Sequence, residues 1–92
     1  MKILVIRFSS FGDVLLTSPV LKKIKQVYPD AEIDFLVYDA FSEAITDNPN
    51  LNKVHIFSKK SSKDFEYINK LIETLKKEKY NYIIDLHSKL LS

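Results

Sequence analysis

The apolar positions of this 92-residue chain fall into two kinds of segment. Ile3-Leu4-Val5-Ile6 is a continuous apolar run, the mark of a strand covered on both faces. Ile33-Asp34-Phe35-Leu36-Val37 reads as a second strand and Tyr82-Ile83-Ile84-Asp85-Leu86 as a fourth. Lys53-Val54-His55-Ile56-Phe57 alternates instead, which predicts a third strand nearer the sheet edge. Between the strands the period becomes helical. Val14, Leu16, Val20, Ile24 and Val27 share helical spacing, with Lys22, Lys23, Lys25 and Gln26 among the later ones. Pro19 leaves two readings there: a helix starting with Ser18 as N-cap and Pro19 in first position, or a helix from Asp13 kinked at the proline. Tyr28-Pro29-Asp30 ends it in either case. Asp39 to Asp47 predicts a short helix with Phe41, Ala44 and Ile45 inward, closed by Asn48-Pro49-Asn50. Ser61 to Glu78 is the strongest helical pattern, with Phe65, Ile68, Ile72 and Leu75 on one face and Ser61 and Asp64 spaced as in a capping box.

The resulting order is β-α-β-α-β-α-β. Right-handed crossovers make that an α/β fold with a parallel, Rossmann-like sheet. A sheet of these four strands leaves an apolar flank beyond the last, so the sequence reads as the first part of a larger domain.

Composition narrows the setting. The absence of cysteine excludes a disulfide framework and a thiolate metal site. The opening residues are too short an apolar stretch for a signal peptide, and no run approaches the length of a membrane span. The chain therefore reads as cytosolic, with work at a membrane surface left open. Its net charge of +2 is unevenly spread, with residues 51–92 the basic part. Lys59-Lys60 and Lys76-Lys77-Glu78-Lys79 are most simply a solvated helix face whose lysines complement the helix dipole. Contact with anionic headgroups is the alternative. No motif supports nucleic-acid binding.

Candidate chemistry lies where open parallel sheets place it, beyond the carboxyl ends of the strands. The turn Phe8 to Asp13 holds Ser9, Ser10, the single glycine Gly12 and a carboxylate. It lacks both the dinucleotide fingerprint and the phosphate loop. Asp13 would repel a phosphate set against it but suits a base that takes a proton from a hydroxyl. It equally fits a plain helix cap, with Ser9 and Ser10 as turn residues. After the fourth strand, Asp85-Leu86-His87-Ser88-Lys89 offers an acid, an imidazole, a hydroxyl and an amine, or an ordinary polar loop. His55 is expected at a strand surface. The spacing of Asp13, Asp85 and His87 matches no zinc or calcium pattern.

The opening Met1-Lys2-Ile3-Leu4-Val5-Ile6-Arg7-Phe8-Ser9-Ser10-Phe11-Gly12-Asp13-Val14, continuing to Thr17-Ser18-Pro19, resembles the N-terminus of the lipopolysaccharide heptosyltransferases, glycosyltransferase family 9. That pattern is a strand, Arg or Lys, S-S-x-G-D-[VI], then a threonine and a proline. Tyr80-Asn81-Tyr82-Ile83-Ile84-Asp85-Leu86-His87 resembles the family's second signature. The resemblance implies a GT-B architecture of two Rossmann-like domains across a cleft. Residues 1–92 would be part of the acceptor-side N-terminal domain, without the C-terminal donor domain. It implies inverting transfer of heptose from a nucleotide sugar, typically ADP-heptose, to a lipid-anchored oligosaccharide of the lipopolysaccharide inner core. Donor and acceptor are substrates, and neither a cofactor nor a metal is implied. Asp13 matches the general base. Ser9, Ser10, Gly12, Asp85, His87 and Lys89 fall on the acceptor side. The setting implied is the cytoplasm, with the inner face of the inner membrane and a peripheral membrane contact left open. One position departs: Leu91 stands where the family usually carries Arg or Lys. The full-length protein is expected to be the enzyme and these residues alone to be inactive. The alternative is a non-catalytic α/β module that holds an anionic ligand or a partner chain.

Overall fold

The computed structural model describes residues 1–8 and 11–86. Four strands form one all-parallel sheet: β1 (Lys2–Ile6), β2 (Glu32–Tyr38), β3 (Lys53–Phe57) and β4 (Tyr82–Asp85), in the order β3-β2-β1-β4. The continuous apolar run thus becomes the inner strand β1, whose Ile3, Leu4 and Val5 are buried, and the alternating run becomes edge strand β3. The opposite edge, β4, leaves Tyr82 and Ile83 exposed, which is the apolar flank expected of this sheet.

One face of the sheet carries the main core. Ile3, Val5, Ile33, Phe35 and Val37 pack there with Val14, Leu21, Ala31 and Ile45. Two helices cover this side, α1 (Phe11–Leu15) and α2 (Ser18–Val27). The structure departs from both readings at Pro19: the cap of α2 is Thr17 rather than Ser18, with Pro19 in the first turn, and the preceding segment is a separate short helix rather than a kinked continuation. At the break, buried Thr17 donates its hydroxyl to the Val14 carbonyl, and Pro19, having no N–H, cannot continue the helix by bonding the Leu15 carbonyl. The break shifts the helical phase. Leu21 takes the core position, and Leu16, Val20 and Val27, placed by spacing on the same stripe as Val14, are turned out to solvent.

The segment after β2 is a 3-10 helix over Asp39–Ala44 rather than an α-helix reaching Asp47. Its inward residues are as expected, with Ile45 buried and Phe41 and Ala44 packed on the core.

The opposite face is covered by α3 (Phe65–Glu78). It starts later than the pattern suggests, because Asp64 is itself the N-cap and its Oδ1 accepts from Glu66 N at 3.0 Å. Residues Lys59–Ser61 form a separate 3-10 turn. Phe65 consequently lies outside the packed face, 80% exposed, and Tyr67 takes its place against the sheet edge. The helix ends at Lys79, whose φ of 54° and ψ of 57° put a side-chain-bearing residue in the left-handed region that glycine occupies without strain. Lys79→Gly should therefore raise stability by about 0.5–1 kcal/mol, measured by urea denaturation.

Below α3, Glu78 joins two strand starts. Lys2 Nζ lies 2.5 Å and Lys53 Nζ 2.7 Å from its two carboxylate oxygens. These bonds hold the Glu78 carboxyl down to about 2 from an ordinary 4.5. A depressed carboxyl contributes stability that is complete above its unfolded pKa and is lost as pH falls through the folded one. Acid titration of stability should thus show a loss between about pH 4.5 and 2 that Glu78→Gln removes.

Candidate active site

The site grows from the carboxyl end of β1. Arg7 follows the last β1 residue, and its amide donates to Leu36 O at 3.2 Å. Its largely buried guanidinium reaches two ways. Nη1 donates to the carbonyl of Leu86 at 2.7 Å, and Nη2 lies 3.5 Å from Asp13 Oδ2. Leu86 N in turn donates to Ile6 O at 2.9 Å, extending the ladder past Asp85, which pairs with Ile6. The two sequence motifs are therefore joined physically through one arginine. Arg7 belongs to the first motif as its Arg-or-Lys position, and that position was the available signal for this role.

Asp13 is held by its neighbour. Val14 is fully buried and anchors α1, which leaves the adjacent Asp13 side chain 40% exposed at the sheet's edge. Asp13 lies inside the first turn of α1, where an acid is favourable to the helix dipole, and is not the cap residue. Gly12 precedes it. Among the described residues, a Cβ on Gly12 would meet nothing within 4 Å, so no packing contact there requires a glycine. Asp85 is exposed at the end of β4. Ser9, Ser10, His87 and Lys89, and Leu91 with them, lie outside the described residues.

An aromatic wall stands along the same edge, and spacing gave little sign of it. Phe8 lies against Tyr38 at 4.7 Å between ring centroids and Phe57 against both at 5.7 Å. Phe41 and Tyr67 extend the wall. Each ring comes from a different strand end or crossover, so only the parallel topology gathers them. Tyr67 also fixes the chain after β3, accepting from Ser58 N at 2.8 Å. Beside the wall, Asp39, Ala40, Lys59 and Lys60 line an open cavity of about 480 Å³, and Lys59 Nζ sits 5.8 Å from the Tyr38 ring centroid.

A second polar cluster lies on the α3 face, toward the strand starts. Asp34 is fully buried, and its Oδ1 accepts from Lys53 N at 3.1 Å. Its Oδ2 accepts from the Tyr80 hydroxyl, which also bonds His55 Nε2 at 2.9 Å. His55 is therefore not at the surface: its side chain is only 13% exposed, covered from the Tyr80 side. Burial first, and then the Asp34 bond, push the Tyr80 hydroxyl well above the usual tyrosine range. Asp34, His55 and Glu78 bring three potential metal-ligand atoms within 4.8 Å of one another. Lysine ammonium groups already neutralise Glu78, and Asp34 is committed to Tyr80 and Lys53 N. The cluster is a structural network.

Comparison with known proteins places this arrangement. No protein-family model matches the chain. In fold it is a parallel α/β unit of the kind seen in a solved glycosyl transferase family 9 protein from Veillonella parvula DSM 2008. That match has a TM-score of 0.85 at 24% identity, covering 94% of this chain and 26% of that one. E. coli heptosyltransferase WaaC with ADP matches at a TM-score of 0.77 and 27% identity, covering 92% of this chain and 27% of its own.

In sequence, lipopolysaccharide heptosyltransferase 3 of Escherichia coli K12 is 40% identical over 78 residues, 82% of this chain and 23% of the relative. Lipopolysaccharide heptosyltransferase 1 of Campylobacter coli is 33% identical over 86 residues, 94% of this chain and 25% of the relative. The resemblance carried by the two motifs is thus shown: along most of its length the chain is similar to lipopolysaccharide heptosyltransferases. It spans about a quarter of the length of the curated relatives it matches. Among the described residues, no helix is long and apolar enough to cross a membrane.

Proposed function

We propose that this chain forms the acceptor side of an inverting glycosyltransferase that moves heptose from ADP-heptose to the lipopolysaccharide inner core. The observation that carries the reading is the Arg7 bridge, which fixes Asp13 and the end of β4 at one strand edge. Asp13 is the general base. Its carboxylate takes the proton of the acceptor hydroxyl as that oxygen bonds to the anomeric carbon of the donor. The bond from that carbon to the nucleotide diphosphate breaks on the opposite face, and the anomeric centre inverts. Arg7 positions the carboxylate. Gly12 leaves room for the sugar, and the Tyr38 ring with Lys59 and Lys60 suits an anionic saccharide. Ser9, Ser10, Asp85, His87 and Lys89 complete the acceptor side in this reading. The donor is held by a second Rossmann-like domain, as in a GT-B enzyme. E. coli WaaC, to which the chain is similar, has been solved with ADP and with ADP-2-deoxy-2-fluoro heptose.

The test is a graft. These residues, placed in E. coli lipopolysaccharide heptosyltransferase 3 instead of its matching segment, should support transfer from ADP-heptose to an inner-core acceptor. A folded graft that binds both substrates without transferring heptose would favour a non-catalytic binding module.

A further inference from the structure

The edge of the sheet at β4 is apolar on both of its faces. Among the described residues nothing pairs with it, since the order β3-β2-β1-β4 ends there. Leu86 N bonds Ile6 O, so by the alternation of a strand Tyr82 and Ile84 turn their backbone groups to β1, and Ile83 and Asp85 turn theirs outward. Side chains alternate as well. Ile83 stands beside Leu4 on the α3 face, and Tyr82 and Ile84 stand beside Ile3 and Val5 on the face of the main core. A groove follows the edge on each face. The one beside α3, about 420 Å³, is lined by Leu4, Ile72, Leu75 and Ile83 with Lys76 and Lys79. The other, about 320 Å³, is lined by Ile3, Ile24, Tyr28, Tyr82 and Ile84. One added strand fills both at once, because its successive side chains point to opposite faces. Nothing blunts this edge: from Tyr82 to Ile84 it has no proline and no charge. At the other edge, β3, the Tyr67 hydroxyl already bonds Ile56 O at 3.4 Å and Ser58 N at 2.8 Å.

We propose that two copies of this chain pair through β4, antiparallel about a two-fold axis at Ile83, into one continuous sheet. Tyr82-Ile83-Ile84 is itself a strand apolar on both faces, so each copy supplies the segment that the other's edge lacks. A two-fold axis perpendicular to the sheet keeps the faces matched. Ile83 then meets Ile83 on the α3 face, and Tyr82 meets Ile84 on the other. The outward amide and carbonyl of Ile83 exchange hydrogen bonds with those of the second copy. Charge sets the direction. Each edge is basic at its start, where Lys76 and Lys79 are exposed, and acidic at its end, where Asp85 is exposed. Antiparallel pairing brings Asp85 of one copy opposite Asn81 and toward Lys79 of the other. Parallel pairing would set Asp85 beside Asp85, which is unfavourable.

The test is sedimentation equilibrium of the chain alone in the micromolar range, where it should run as a dimer. Ile83 is 62% exposed, so the fold of one copy does not depend on it. Ile83→Lys places two ammonium groups opposite each other and should raise the dissociation constant at least about tenfold with unchanged circular dichroism. A second variant reads the geometry directly, because the chain has no cysteine of its own. Opposed residues of a hydrogen-bonded antiparallel pair have Cα atoms about 5.5 Å apart, within disulfide reach. Ile83→Cys should therefore cross-link two copies under mild oxidation, while Ile56→Cys on β3 should not. A chain that stays monomeric throughout the range would overturn the proposal and assign the edge to a strand from outside residues 1–92. So would a dimer unaffected by Ile83→Lys, or cross-linking through Ile56→Cys and not through Ile83→Cys. No sugar or nucleotide enters the test, so its outcome is independent of the glycosyltransferase reading.

Discussion

Asp13→Asn lowers heptose transfer by the grafted enzyme at least about 100-fold, with little change in acceptor affinity. The asparagine keeps the size and the first-turn position in α1 but has no lone pair basic enough to take the hydroxyl proton. Val14 still anchors the helix, so the loss falls on kcat rather than on folding. Arg7→Met separates positioning from proton transfer. It leaves the carboxylate in place but removes the bond to Leu86 O and the ion pair at 3.5 Å. A carboxylate that is present but no longer held should lose less activity than one replaced, and the pH profile of the remaining activity should still report a base. Parallel rate and binding measurements check both variants. Unchanged transfer in Asp13→Asn would remove the base from the account.

Asp34→Ala destabilises the chain by about 3–5 kcal/mol, measured by urea unfolding. Asp34 is fully buried, and the substitution leaves the Lys53 amide without its acceptor, leaves the Tyr80 hydroxyl with His55 alone, and opens a cavity. A small domain has only about 5–15 kcal/mol in all, so the change removes a large share of its stability. Asp34→Asn keeps the shape and an acceptor oxygen and should cost less. Tyr80→Phe should cost about 1–3 kcal/mol and be strongly non-additive with Asp34→Ala, since both changes break the same bond. A loss below about 1 kcal/mol for Asp34→Ala would mean that the network is not what joins β2 to the start of β4.

The strands were legible because each is a short apolar or alternating run whose pattern survives any arrangement of neighbours. β1, β2 and β4 differ from their expected bounds by a residue at an end or two, and β3 matches fully. Helix phase was less legible. Pro19 marked an interruption between α1 and α2 but not the rotation across it, which turns Leu16, Val20 and Val27 outward. Asp64 took the cap that a Ser61 capping box would have placed three residues earlier. His55 read as a surface residue because its cover, Tyr80, is brought to it only by the crossover of α3. At the site, Asp13 and Gly12 were visible as an acid and a bare position in a strand-end turn. The Arg7 bridge and the aromatic wall were not, since they join residues far apart in sequence that parallel pairing alone brings together.

The central claim is that the carboxyl edge of this sheet receives the acceptor saccharide. Amide chemical shifts of the chain, followed during titration with a soluble inner-core oligosaccharide, test it directly. The account predicts perturbations around Arg7, Gly12 and Asp13, around Tyr38, Asp39 and Lys59, and at Asp85, with Lys2, Lys53 and Asn81 at the opposite edge unmoved. Perturbations confined to that opposite edge, or a spectrum unchanged at saturating oligosaccharide, would contradict it.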